Sequence, residues 1–478
     1  MLYIALLTGL ITGLVFYYFN KADQRITAQE SAPPGPGLGL REAAGTVWYE
    51  GLRLLVLLFA RLGERHIRRR LCLHTAALVL AYMGGAWLFC FLSGDMAFLD
   101  DCQQALPALL LIDLLMLWLV CMASASRKAA WLVLSISLLG TLLQLSNGEK
   151  ADMLMLYHLA ALIFSAAFLL FIHWLELLPA AVMVKVILIL TALLYAYTAV
   201  FGITASNSST TVWVRIAGIL VQTSELTKLL ALLSGALLLA DHSLPDRQKL
   251  LRMAEVFLVN AVWLFYLREY STLMVIAICF GAAALLSLRD TRLLIRAVVL
   301  TLSLAVLLYG LGSMGAPFLG SAYLKLSKRM SVFTEVEANG QLDKALQELR
   351  LVRWVGSTGL KSMVPVGSSD FVVINIVMKL GMAALLLIVM AYIALLCFAL
   401  RQKHPIWGLG IVVQSLMAIA SSTGLFATVG LAPVLLGEGG STYVVAWTIL
   451  AALLADSTHI VLTAPASRRS QRRRLHHE

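Results

Sequence analysis

Charge is scarce in this chain. Only 13% of its 478 residues are Asp, Glu, Lys or Arg, where a soluble protein carries roughly a quarter. Too few polar groups are left to clothe a water-facing surface, which excludes an ordinary soluble globule. The short alternating segments of a membrane β-barrel are missing as well. Six cysteines (Cys72, Cys90, Cys102, Cys121, Cys279, Cys397) form no CxxC pair, and almost all lie in apolar runs. The nine histidines show no HExxH or other ligand spacing. Neither a zinc site nor a disulfide framework is supported. No small-residue cleavage site follows the apolar stretch Met1–Phe19, which reads as a retained first span. No internal repeat is visible.

What is present is apolar sequence in long runs. Hydrophobic residues make up 60% of the chain, and the mean hydropathy is +0.87. Runs of about 18 or more apolar residues recur throughout, the mark of helices that cross a bilayer. The expected fold is an all-α polytopic membrane protein with about thirteen transmembrane helices. Candidate spans fall near 2–19, 72–94, 105–124, 129–146, 152–175, 180–202, 224–240, 252–268, 271–287, 293–314, 371–400, 406–431 and 441–463.

The net charge of +11 is not a nucleic-acid footprint. Its clusters, among them RHIRRR (65–70), SRK (126–128), RQKH (401–404) and SRRSQRRR (467–474), sit in short loops and at the C-terminus. Threading the spans alternately puts every basic cluster on one side, as the positive-inside rule requires. GDMAFLDDCQQ, NGEKAD and residues 317–370 fall on the other side. This map places the C-terminus in the cytoplasm and the N-terminus outside. SAPPGPGLGL (31–40) reads as a linker. VWYEGLRLLVLLFARLGER (47–65) is amphipathic and reads as a surface helix rather than a span.

Residues 317–370 form the one long insertion that reads as non-helical, and long loops of this kind tend to carry function. The segment ends at Asp370, the mouth of an apolar run broken by Lys379. Ser369 or Asp370 could cap the helix that follows. Equally, Asp370 could do chemistry at the water interface. In an unbroken span Lys379 would lie about 13 Å deeper than Asp370, pairing with a buried carboxylate or carbonyl. Glu225 and Lys228 are three residues apart, on one helix face where they can pair. They are either a structural pair or the lining of a polar cavity. Asp113, Lys185, Glu255 and Asp456 are further intramembrane charges to which spacing assigns no role.

Three separated stretches together resemble the SEDS family of shape, elongation, division and sporulation proteins. VWVRIAGILVQTSELTKLL (212–230) matches at Trp213, Arg215, Gln222, Ser224, Glu225 and Lys228. RWVGSTGL and VPVGSSDF (353–371) match at Gly356, Gly359, Leu360, Pro365, Asp370 and Phe371, with Arg329 and Gln347 upstream. GLFATVGLAPVLLGEGGS (424–441) keeps Gly424, Thr428, Gly430, Gly439, Gly440 and Ser441. The resemblance spans residues 129–463 and implies a ten-helix core. Residues 1–128, with three expected spans, have no counterpart, and 464–478 form a basic cytoplasmic tail. Departures are visible: HTDF becomes SSDF, the paired glutamates after it become Met378 and Lys379, and QPDxGT becomes REYST (268–272).

The resemblance implies a peptidoglycan glycosyltransferase in the bacterial cytoplasmic membrane. Such proteins polymerise lipid II at the outer face and work with a class B penicillin-binding transpeptidase. Asp370 would be the general base or a ligand of Mg²⁺ or Mn²⁺. Arg215, Lys228 and Arg329, with Ser369, Gly439, Gly440 and Ser441, would bind the substrate and its pyrophosphate. Two other readings remain: a catalytically silent scaffold for a transpeptidase, or a polymerase or ligase of another polyprenyl-linked glycan.

Overall fold

The computed structural model describes residues 65–94, 127–175, 180–241, 244–315, 340–358 and 370–455, with short gaps, and a few isolated positions. Thirteen helices and one hairpin occur among them. α1 (Arg65–Ser93), α2 (Arg127–Ser146), α3 (Ala151–Leu175) and α4 (Ala180–Phe201) come first. The hairpin follows, β1 (Trp213–Ile216) and β2 (Ile219–Gln222). Next are α5 (Thr223–Ala240), α6 (Asp246–Tyr266), α7 (Tyr270–Ser287) and α8 (Thr291–Ser313). Two short helices, α9 (Gly340–Leu349) and α10 (Val372–Leu380), precede α11 (Met382–Ala399), α12 (Ile406–Ser422) and α13 (Gly440–Ala455).

This is an all-α polytopic membrane protein. Six of these helices are long and apolar enough to cross a bilayer, and α12 and α13 are shorter apolar helices. Between residues 127 and 455, ten helices have 16 residues or more. The expected spans near 2–19 and 105–124, the linker 31–40, the surface helix 47–65 and the tail 464–478 lie outside the described residues, save for isolated Leu109 and for Arg65, where α1 begins.

Two expectations need correction. Residues 317–370 are not wholly non-helical, because α9 lies within them. Its amphipathic repeat buries Leu342, Ala345 and Glu348. The run 371–400 is not one span either. Gly381, at φ 94°, breaks it into α10 and α11. A Cβ there would lie 2.6 Å from the Trp354 carbonyl oxygen, so only glycine permits both the turn and the approach.

The ends of the bundle follow from a few hydrogen bonds. Ser422 Oγ, at the end of α12, donates to the Asp370 carbonyl (3.1 Å). Lys379 Nζ donates to Ser146 O (3.1 Å), Ser146 Oγ (2.7 Å) and Asn147 Oδ1 (2.8 Å) at the end of α2. Lys379 is therefore not deep in a span. It is level with the end of α2, fastening α10 to that helix's last carbonyls, where a cation also complements the helix dipole. These three partners are carbonyl, hydroxyl and amide oxygens.

α1 docks on the core by one face. Tyr82, Ala86, Phe89 and Cys90 are buried, at the spacing of a helical stripe. The carbonyl of Leu92 accepts the Ser357 N–H (2.8 Å). The extension thus touches the segment that runs towards Asp370.

Candidate functional site

Between α12 and α13 the chain does not stay at the surface. Residues 431–437 are buried apart from half-buried Ala432 and lie against Gly140, six residues from the end of α2, where an added Cβ would meet the Leu435 carbonyl oxygen at 1.8 Å. Non-helical backbone at such depth survives only where protein satisfies its polar groups. Side chains from three helices do so. Gln414 Nε2 donates to Ala432 O (3.3 Å), Tyr392 OH to Val434 O (2.6 Å), and Gln144 Nε2 to Gly437 O (3.1 Å). Val434 N–H donates to Ser415 Oγ (3.1 Å). The expected span 406–431 is therefore too long: the helix ends at Ser422, and the apolar LAPVLL that follows is loop.

Lys228 and Glu225 lie beside this re-entrant loop. Both are 2% exposed and form an ion pair at 2.5 Å. Lys228 Nζ also donates to Gln414 Oε1. The ammonium thus bridges α5 to α12, and through Gln414 to the loop at Ala432. A buried charge paired and hydrogen-bonded across two helices in this way holds them in register.

The GGS stretch sits where α13 begins. Gly439 has φ 151°, and a Cβ on Gly440 would meet the Tyr157 ring at 2.3 Å. Ser441 Oγ accepts the Gln222 N–H (3.2 Å) at the foot of the hairpin. The first and third of the three stretches therefore meet. Below them, Tyr443 OH lies 2.7 Å from His158 Nε2 and 3.0 Å from Ser137 Oγ. His158 Nδ1 donates to Leu154 O (2.8 Å), which leaves Nε2 to accept from the tyrosine.

Asp370 is half-buried and stands one residue before Phe371, the N-cap of α10. Its carbonyl is held by Ser422, whereas Lys228 reaches the same helix at Gln414. Eight residues of α12 separate these levels, about 12 Å. Asp370 and Lys228 thus occupy different depths. Arg215 is exposed on β1. Lys185 is exposed on α4, and Glu255 is paired with Arg252 at 2.9 Å on the surface of α6. Arg329, Ser369, Asp113 and Asp456 lie outside the described residues.

Sequence reasoning missed Glu269, a buried carboxylate at the N-cap of α7. It accepts from Thr272 Oγ1 (3.4 Å). α6 ends and α7 begins at the same end of the bundle as Asp370, so this end carries a second acid. Gln414 was also missed, though a lone amide within IVVQSLM is a signal of its own. Among the described residues no three His, Cys, Asp or Glu side chains gather as a metal site. Asp370 suits a hard divalent cation that would take the rest of its shell from water and phosphate oxygens.

No protein-family model matches this sequence, and no curated protein does. Solved structures do. One is a chain of a peptidoglycan synthase complex that coordinates polymerization and crosslinking. It superposes with a TM-score of 0.55 at 17% identity, covering 71% of this chain and 98% of that one. The two chains share a fold. The rod shape determining protein RodA of Thermus thermophilus superposes with a TM-score of 0.44 at 16% identity, covering 69% of this chain and 95% of that one. A mutant of the same protein gives 0.45 at 16%, covering 69% and 96%.

Proposed function

We propose that the chain is a divergent SEDS-type glycosyltransferase that polymerises lipid II at the outer face of the bacterial cytoplasmic membrane, in cell wall synthesis. The observation that carries this reading is the placement of Asp370. A half-buried carboxylate stands at a helix mouth, with its backbone clamped to α12. The motif stretches that accompany it in the SEDS family are tied together at the same end of the bundle.

In this reading the acceptor sugar hydroxyl attacks the anomeric carbon of the donor. Its proton passes to Asp370, the new glycosidic bond forms, and the bond to the lipid pyrophosphate breaks. Asp370 would hold Mg²⁺ or Mn²⁺ when present, and that charge would stabilise the departing pyrophosphate. Ser369, Gly439, Gly440, Ser441 and Arg329 are the proposed contacts to the substrate. Lys228 acts from a distance, holding the loop that leads to Gly439. A class B penicillin-binding protein is the proposed partner.

A second reading, a silent scaffold, is favoured by one observation. The extension helix α1, which has no counterpart in the resemblance, packs on the core and accepts the Ser357 N–H, an added element of the kind a scaffold would carry. One experiment separates the two: incubation of purified protein with fluorescent lipid II and Mg²⁺ or Mn²⁺, followed by a gel for polymer. Polymer from the wild type and none from Asp370→Asn supports the enzyme. No polymer from either supports the scaffold.

A further inference from the structure

The hairpin is only half covered by protein. At its foot Trp213 is half-buried, Val214 is buried, and Val221 and Gln222 are half-buried. Its outer half is exposed on both faces: Arg215, Ile216 (48%), Ile219 (48%) and Leu220 (45%). The register pairs Arg215 with Leu220 and Ile216 with Ile219. Successive residues of a strand point to opposite faces, so among the described residues neither face of this outer half is covered. A two-stranded ribbon of this kind is marginal at best in water.

Its position supplies what covers it. The hairpin joins the end of α4 to the start of α5, both of membrane-crossing length. The lipid-facing side of α4 is linked to it through Ile203. Val200 (73%) and Phe201 (58%) are exposed on the last turn of α4. Ile203, 37% exposed, is bridged to Trp213, with its N–H donating to the Trp213 carbonyl at 2.7 Å. The apolar surface of a span therefore continues, by backbone pairing, into the ribbon. One cation sits among the aliphatic tips, and a half-buried tryptophan stands at the foot, as in residues that seat at the headgroup level.

We propose that the tip of the hairpin inserts into the lipid interface on the Asp370 side, with Ile216, Ile219 and Leu220 among the upper acyl chains and Arg215 on phospholipid phosphates. This holds whether or not the chain polymerises glycan. It gives Arg215 a bulk-lipid partner in place of a substrate pyrophosphate. Two-sided exposure is then no defect, because both faces of the ribbon contact lipid.

The test uses full-length protein with its cysteines replaced, in vesicles of phosphatidylcholine and phosphatidylglycerol that contain no polyprenyl lipid. An environment-sensitive fluorophore is attached at Ile219→Cys, and separately at Leu220→Cys in case one label disturbs the ribbon. The reference is Lys344→Cys, at an exposed position of α9. Quenching by a phospholipid spin-labelled near its headgroup should exceed quenching by aqueous iodide several-fold at 219 and 220, with the reverse at 344. Arg215→Glu, which sets a like charge against phosphate, should raise iodide quenching at 219. Iodide quenching at 219 and 220 equal to that at 344 would overturn the insertion. So would shielding from both quenchers, which would give the tip to a protein contact. Unchanged quenching in Arg215→Glu would overturn the phosphate contact.

Discussion

At Asp370 the exchange of one oxygen for nitrogen separates chemistry from architecture. Phe371 holds the N-cap position, and it is the carbonyl of Asp370 that receives the Ser422 hydroxyl. Asp370→Asn keeps that carbonyl and the side-chain volume, so abundance in the membrane should match wild type. Asparagine cannot take a proton, and polymer formed from lipid II should fall by at least about 100-fold, the scale of a lost base. Retained activity would remove the catalytic role. Lys228 makes the opposite case. Lys228→Met leaves the Glu225 carboxylate buried without its counter-charge, a loss of about 3–5 kcal/mol for such a pair. Glu225→Gln combined with Lys228→Met removes both charges and should recover most of the loss. Thermal unfolding in detergent reads this directly, and equal midpoints for the single and double variants would mean that water reaches the pair.

Glycines test the element scale, because space rather than chemistry is at stake. A methyl at Gly140 would collide with the backbone of the re-entrant loop at Leu435, and backbone cannot rotate aside. Gly140→Ala should lower the melting midpoint sharply, by the equivalent of at least about 1–3 kcal/mol. Gly281, inside α7, has nothing within 4 Å of an added Cβ. Gly281→Ala should be neutral or stabilising by up to about 1 kcal/mol. The same contrast explains what the sequence discloses. Long helices are legible, since a bilayer demands unbroken apolar length: Ala151, Ala180 and Thr291 open theirs within two residues of where hydropathy places them. The re-entrant loop is not, because its polar partners are single residues on distant helices and LAPVLL itself is apolar. Lys379 is misplaced in the sequence reading for a related reason. A glycine in an apolar run carries no local sign of whether the chain turns there, and the backbone bonds that hold this turn come from residues 353–356, distant in sequence. The hairpin escapes notice because VWVRI and ILVQ are too short to show a period, whereas the Glu225–Lys228 pair is visible from its spacing.

For the whole molecule, the alternation of basic loops supplies an orientation. If the Asp370 end faces outward, Lys344→Cys in a cysteine-free chain should react with an impermeant maleimide in intact cells. Gln402→Cys, in the loop after α11, should react only after permeabilisation. Protection of residue 344 in intact cells would invert the map and remove lipid II at the outer face from consideration. The long-range order of the bundle has its own consequence. α13, the last described helix, lies along α3, where Tyr443 meets His158 and Thr448 Oγ1 lies 3.4 Å from Ser165 Oγ. Roughly 280 residues separate these partners in the chain. A ribosome adding about 5–20 residues per second needs on the order of half a minute to make that interval. During that time α3 would already be in the bilayer with His158 and Ser165 still lacking their α13 partners. A nascent chain stalled before α13 is thus marked by exposed polar groups within the membrane, the very feature by which a membrane protease could tell an unfinished copy from a complete one.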